Sequence, residues 1–223
     1  MLTETCDTSR LEAKTGLTLV LVRHGNTFGP EDRVVWVGAR SDMPLVHKGK
    51  DQAQQLGKAF AASRIKPDTL IYGPLQRTTE TAEILADHAG WQSVPRQSSE
   101  ALREIDYGVW EGKSNDEIIA QFGPDEITRW QKDSIWPDGF DWHPKPDHIA
   151  QAWAEMIGQI EATHGPDATA VIVTSNGILR LIAEQYGIAP RQAKVLTGHF
   201  CVIEAGKALC WNHNPAEPCP PLT

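Results

Sequence analysis

An arginine and a histidine stand side by side at Arg23-His24-Gly25-Asn26-Thr27. Histidine titrates near neutrality, so its neutral imidazole is available to attack an electrophilic centre. A guanidinium offers a fork of donors that matches phosphate oxygens. Together on a glycine-containing turn, the two could bind a phosphoryl group and attack it. A second arginine, Arg77, lies within Gly73-Pro74-Leu75-Gln76-Arg77-Thr78-Thr79-Glu80-Thr81-Ala82. Pro74 and the residues after it open a helix, whose N-terminus favours anions. A cation in that first turn opposes the macrodipole, a conflict that a bound anion removes. Taken alone, each segment also reads blandly: His24 as a satisfied loop histidine, Arg77 as a solvated surface arginine.

These residues need elements to position them. Leu17–Val22 (LTLVLV) is a short, continuous apolar run, the pattern of a strand buried on both faces of a parallel sheet. Lys48–Ser63 carries Ala53, Leu56 and Phe60 on one helical face, and Thr69–Tyr72 is a second strand. Leu75–Ala89 reads as a helix stopped by Gly90. Ser114 and Glu117 form a capping box that opens a helix over Asn115–Phe122, and Pro124 starts another to about Lys132. Asp133–Asp147 is rich in Pro and Trp and is expected to be irregular. His148–Thr163 is helical, with Ile149, Trp153, Met156 and Ile160 on one face. Ala170–Thr174 is a third strand and Gly177–Tyr186 a helix, followed by strands Phe200–Glu204 and Ala208–Asn212 joined at Gly206-Lys207. This alternation predicts an α/β sandwich with a mostly parallel sheet. Such sheets bind ligands outside the carboxyl ends of their strands.

The chain has 223 residues, with 21 Lys and Arg against 29 Asp and Glu, a net charge of −8. That length suits one domain with a substantial core. The acidic balance excludes a nucleic-acid binder working by bulk charge. It leaves room for a small positive pocket, because screening confines surface charge to about 8–10 Å. No apolar run reaches the roughly 18 residues of a spanning helix, and no apolar leader segment is present, so a soluble, cytoplasmic protein is expected. The four cysteines, Cys6, Cys201, Cys210 and Cys219, have no CxxC spacing and read as free thiols, with a Cys201–Cys210 bridge the alternative. His143 and His148 lack a third ligand at useful spacing, so neither a metal nor a cofactor is assigned.

The two arginine segments, with Gly38 to Gly49 (GARSDMPLVHKG) and Leu102 to Gly112 (LREIDYGVWEG), strongly resemble the histidine phosphatase superfamily. The resemblance is to its phosphoglycerate mutase-like branch 1 and spans about Leu17 to Asn212. It implies a three-layer α/β/α sandwich with the site at the sheet's carboxyl edge. It divides the chain into a tail (1–16), the domain (17–213) with a Trp-rich insertion at about 113–147, and a Pro-rich tail (214–223). Carried over, His24 becomes the nucleophile that forms phosphohistidine, and Arg23 and Arg77 hold the phosphoryl oxygens. Glu104 becomes the proton donor to the leaving oxygen and then the base that activates water. Asn26 and Thr27 match loop positions that line the phosphate pocket.

The chain also departs from that pattern. Where the family has Ser-His-Gly-Gly, it reads Thr174-Ser175-Asn176-Gly177, so Ser175 stands at the second histidine. A hydroxyl donates one hydrogen bond and carries no charge. Losing one transition-state donor costs about 10²–10³ in rate. Asn176 offers a substitute amide, and His199 is a possible accessory with a packing role as its alternative. Trp130, Trp136, Trp142 and Trp153 fall close together; Trp136 and Trp142 are candidates to line the substrate pocket, or the rings pack the insertion onto the domain. The leading reading is a metal-independent phosphomonoester hydrolase acting through phosphohistidine on a small phosphorylated metabolite, weakened by Ser175. Inorganic phosphate or sulfate would bind at the site, an oligomer is open, and neither nucleic acid nor membrane is a partner. The alternatives are a non-catalytic phospho-ligand-binding protein on the same fold and a phosphoglycerate mutase-type phosphotransferase.

Overall fold

The computed structural model describes residues 16–218. The expected N-terminal tail up to residue 15, the end of the Pro-rich tail, Cys6 and Cys219 lie outside them. Six strands form one sheet: β1 (Thr18–Arg23), β2 (Thr69–Tyr72), β3 (Arg96–Ser98), β4 (Thr169–Thr174), β5 (Phe200–Glu204) and β6 (Lys207–His213). Their order is β3-β2-β4-β1-β5-β6. β3, β2, β4 and β1 are parallel; β5 runs antiparallel to β1, and β6 to β5.

Helices cover both faces, which is why the central strands are apolar throughout. Leu19, Leu21, Ala170 and Ile172 pack under α5 (Pro146–His164) and α6 (Asn176–Ile182), through Trp153, Met156, Ile160, Leu179 and Ile182. Val20, Val22, Val171 and Val173 pack under α1 (His47–Ala62) and α2 (Gln76–Ala89), through Leu56, Phe60, Ala82, Leu85 and Ala86. The result is the expected three-layer sandwich.

Register then sets the position of the site. Arg23 pairs with Thr174 and Tyr72 with Val173, so β1, β2 and β4 end side by side. The ladder runs one step further: His24 N–H donates to the Thr174 carbonyl (3.1 Å) and Gly73 N–H to the Val173 carbonyl (3.0 Å). The segments that begin at His24, Gly73 and Ser175 therefore leave the same edge.

Some boundaries differ from expectation. The edge strand β3 has no apolar alternation and all three of its residues are exposed, so it leaves no periodic signal. The helix expected to Tyr186 ends at Ile182 and tightens into a 3₁₀ turn, Ala183–Tyr186. The hairpin turns at Ala205-Gly206, both at positive φ (46° and 76°), one residue before the expected place. Cys201 and Cys210 are not joined by a bridge. Among the described residues, no helix is long and apolar enough to cross a membrane.

The insertion folds as α3 (Asn115–Phe122), capped by the Ser114–Glu117 box, and α4 (Asp125–Asp133). It has its own core. Trp142 lies 4.8–5.8 Å, ring centre to ring centre, from Trp36, Tyr107, Trp110, Trp130 and Trp136. Ile149 of α5 and Ile178 of α6 join that cluster, which holds the insertion over the carboxyl edge of the sheet.

Candidate active site

The turn after β1 lies directly on the first turn of α1. A Cβ on Gly25 would come 2.3 Å from the Gly49 carbonyl oxygen, and one on Gly49 2.2 Å from that of Asn26. Only glycine at both positions permits this approach. Gly25 N–H donates to Thr81 Oγ1 on α2 (3.0 Å), while Gln52 of α1 accepts from Asn26 N–H (2.8 Å) and donates to the Thr197 carbonyl (2.9 Å). The His24 turn is thus held from three sides.

His24 is buried, and its Nδ1 faces the Gly25 carbonyl at 2.7 Å. A carbonyl accepts only, so the proton sits on Nδ1 and the Nε2 lone pair is left free. Burial, then Arg77 and Arg23, hold the imidazole well below its ordinary pKa of 6.5, so it is neutral at physiological pH.

Arg77 is buried, which removes the surface-arginine reading. Its Nη1 donates to the Ser41 carbonyl (2.6 Å) and Nη2 to that of Gly38 (3.1 Å). Arg23 donates to the Val195 carbonyl (2.6 Å), and its Nε has no protein partner. Burial lowers Arg23 to about 10, which leaves it charged at neutral pH.

Glu104 is also buried, with Oε1 accepting from Ile105 N–H (2.9 Å) and Oε2 from Gly177 N–H (3.2 Å). Those bonds, Arg77 and Arg23 favour the carboxylate, yet desolvation outweighs them and the pKa stands above its ordinary value. Gly177 makes the room: a Cβ there would lie 2.3 Å from Glu104 Oε1 and 2.8 Å from the Tyr107 hydroxyl.

His24, Glu104, Arg23, Arg77, Asn26, Thr27 and Asn176 all line one cleft of about 1020 Å³. Asn26 turns its Nδ2 to the Phe28 carbonyl (2.8 Å), and Asn176 Oδ1 accepts from Val195 N–H (3.0 Å). The lining carries five Lys and Arg side chains (Arg23, Lys48, Arg77, Arg180, Lys194) against one carboxylate, Glu104. A cationic cleft in an acidic chain favours an anion.

Four candidates stand elsewhere. Ser175 is fully buried behind the cleft wall, with its Oγ unpartnered, and does not line the cleft. His199 turns its Nδ1 to the Asn212 carbonyl on β6 (3.0 Å), so pairing of the last two strands draws the ring away. Trp142 is buried at the centre of the aromatic cluster, and Trp136 packs against Trp130 and Trp142. The tryptophans that do line the cleft are Trp36 and Trp130. Sequence reasoning also missed Tyr107, Arg180 and Lys194 on the lining. Tyr107 lies inside the LREIDYGVWEG segment; Arg180 lies within the expected helix Gly177–Tyr186 with no motif to mark it, and Lys194 in a loop with no periodic signal.

The sequence profile of the histidine phosphatase superfamily (branch 1) matches residues 19–203. A 2,3-bisphosphoglycerate-dependent phosphoglycerate mutase of Clavibacter sepedonicus is 34% identical over 131 residues, 58% of this chain and 48% of the relative. The chain spans about half the length of the curated relatives it matches first. Among solved structures, Bacillus stearothermophilus YhfR superposes with a TM-score of 0.70 at 27% identity, covering 88% of this chain and 97% of that one. A mycobacterial glucosyl-3-phosphoglycerate phosphatase does so with a TM-score of 0.72 at 20% identity, covering 88% and 99%. The latter has also been solved with inorganic phosphate.

Proposed function

The chain belongs to branch 1 of the histidine phosphatase superfamily, and from that premise we propose that it hydrolyses small phosphomonoesters through a phosphohistidine on His24. The observation that carries the reading is the pairing of a neutral His24, its Nε2 free, with a buried Glu104 of raised pKa in one cationic cleft. In the first step Nε2 bonds to phosphorus as the bond to the leaving oxygen breaks, and Glu104 gives that oxygen its proton. Arg23 and Arg77 neutralise charge spreading over the phosphoryl oxygens. In the second step Glu104, now a carboxylate, takes a proton from water, whose oxygen attacks phosphorus and breaks the P–N bond. Tyr107, held well above its ordinary pKa by burial, remains a phenol that can donate but not ionise.

Hydrolysis is preferred over mutase-type transfer because the cleft is open, with Val34 on its lining 65% exposed. A mutase must shield its phosphohistidine from water. The curated relatives named as mutases and the neighbour named as a phosphatase are both compatible with phosphoryl transfer. Ser175 favours a second reading, a phospho-ligand-binding protein, since it puts a hydroxyl where the family's second imidazole stands. A pure binder has no use for a buried acid beside a free Nε2, which places it second.

Phosphate release from a panel of phosphomonoesters decides between them. The wild type is expected to turn over at least one ester, and His24→Ala to lose about 10³-fold or more. Equal background rates for both proteins, with inorganic phosphate still raising Tm, would establish the binder.

A further inference from the structure

The cleft has a second cationic wall that the phosphoryl chemistry does not use. Arg180 lines it, 6% exposed, and its guanidinium is fixed at the end of α4. Nη1 donates to the Trp130 carbonyl and Ser134 Oγ (both 2.7 Å), and Nη2 to the Gln131 carbonyl (3.0 Å). None of these acceptors is a carboxylate, so these bonds hold the positive charge in place without neutralising it. Lys194 lines the same wall from the loop before β5, and its ammonium has no hydrogen-bond or ion-pair partner among the described residues. Asn115 stands beside them. Its Oδ1 accepts from Trp36 Nε1 (2.9 Å) and Gln131 Nε2 (3.2 Å), which fixes the amide and leaves the Nδ2 donors uncommitted. One carboxylate, Asp116, stands at the outer edge.

This wall adjoins the phosphoryl centre at Arg23: Arg23, Asn115, Gln131 and Lys194 also line a neighbouring recess whose lining does not include His24, Arg77 or Glu104. The charges that act on His24 are those of Arg77 and Arg23. The charges that act on Lys194 are those of Arg180 and Arg23. Arg23 is thus shared by the two groups of cations, and Lys194 lines the recess that His24 does not. Like charges gathered on a partly dry wall repel one another, and an anion among them removes that cost.

We propose that Lys194, backed by Arg180 and flanked by Asn115, forms a second anion subsite that receives an anionic group, such as a carboxylate, on the leaving-group side of the substrate. The assignment of this side as the leaving-group side rests on the hydrolase reading above. The substrate class becomes a phosphomonoester with a second negative charge, not a neutral alcohol phosphate. Lys194 supplies the contact, with three donors and no acceptor; Arg180 supplies fixed charge.

Non-reacting phosphonates test this directly. Calorimetry would compare phenylphosphonate with 4-phosphonobenzoate, and propylphosphonate with 3-phosphonopropanoate. In at least one pair, the carboxylate is expected to tighten binding about tenfold. That advantage should vanish in Lys194→Met, persist in Lys194→Arg, and persist in Lys48→Met, whose side chain lines a different part of the cleft. Equal affinities within both pairs would overturn the proposal, as would an advantage that survives Lys194→Met or is lost in Lys48→Met. Because these ligands do not react, the result stands apart from turnover. A carboxylate preference without phosphate release from any ester would retain the subsite and remove the hydrolase reading. Phosphate release without the preference would do the reverse.

Discussion

Burial acts on His24 and Glu104 in opposite directions. It lowers the imidazole well below 6.5 and raises the carboxyl above 4.5, and both changes favour the neutral form. The neutral forms are the nucleophile and the acid. The acid limb of the rate profile, set by His24 protonation, is therefore displaced below 6.5. The alkaline limb, set by loss of the Glu104 proton, begins above 4.5, and activity falls as pH rises through it. Turnover is expected to peak on the acid side of neutrality. In Glu104→Gln the alkaline limb should disappear, with alkyl phosphate turnover down by about 10²–10⁴. A wild-type profile that climbs through pH 7 would contradict the assignment. Ser175 gives a second test at this scale. Its Oγ is buried and unpartnered and makes no cap bond to α6. Ser175→Ala should leave stability equal or higher by up to about 1 kcal/mol in urea unfolding. It should also leave kcat within about threefold, because the hydroxyl does not face the cleft; a tenfold loss would show that it reaches the transition state. His24, Arg23 and Arg77 were legible in the sequence because each stands at or just after a strand end. Tyr107, Arg180 and Lys194 were not, because their approach to the cleft depends on how the insertion and the loop before β5 fold back.

The elements meet at glycines, and two of these give opposite expectations. At the start of α6, a Cβ on Gly177 would drive Glu104 Oε1 and the Tyr107 hydroxyl out of place. Gly177→Ala is expected to cost roughly 1–3 kcal/mol by overpacking and to reduce kcat/KM about 10²-fold as Glu104 is displaced. Gly158, inside α5, has nothing within 4 Å of the added Cβ. Gly158→Ala should stabilise by about 0.5–1 kcal/mol and leave kinetics unchanged. Thermal unfolding and steady-state rates of the two variants check both. The same contrast explains what could be read in advance. Strands buried on both faces and helices with an apolar stripe announce themselves by period, as β1, β4 and α5 do. The edge strand β3 has a row of exposed polar residues and takes its place by backbone pairing to β2. His199 takes its alternative, a packing role, for a related reason: Phe200 pairs with His213 on β6, and that register sends the neighbouring ring to Asn212.

Across the whole molecule, an acidic chain of net charge −8 gathers five cationic side chains around one cleft. The fold does this by ending three strands together and setting a separate aromatic core above them. The rings expected near the substrate are mostly the structure that holds this roof. Trp142→Ala should cost about 3–5 kcal/mol, read by denaturant unfolding, and should raise KM more than it lowers kcat. The reason is that Trp36 and Trp130, which line the cleft, rest on it. That the tryptophans cluster was legible; which edge of the cluster meets the cleft was not, since it depends on the path of 28–37 across the insertion. The central claim concerns one bond, between His24 and phosphorus. Acid-avoiding rapid quench during turnover of a good ester, followed by mass spectrometry of the proteolysed chain, measures it directly. The account predicts phosphate on the peptide containing His24, labile to acid, stable to base, and missing in His24→Ala. Sustained phosphate release with no such adduct in the wild type at any quench time, or with equal release by His24→Ala, would contradict it.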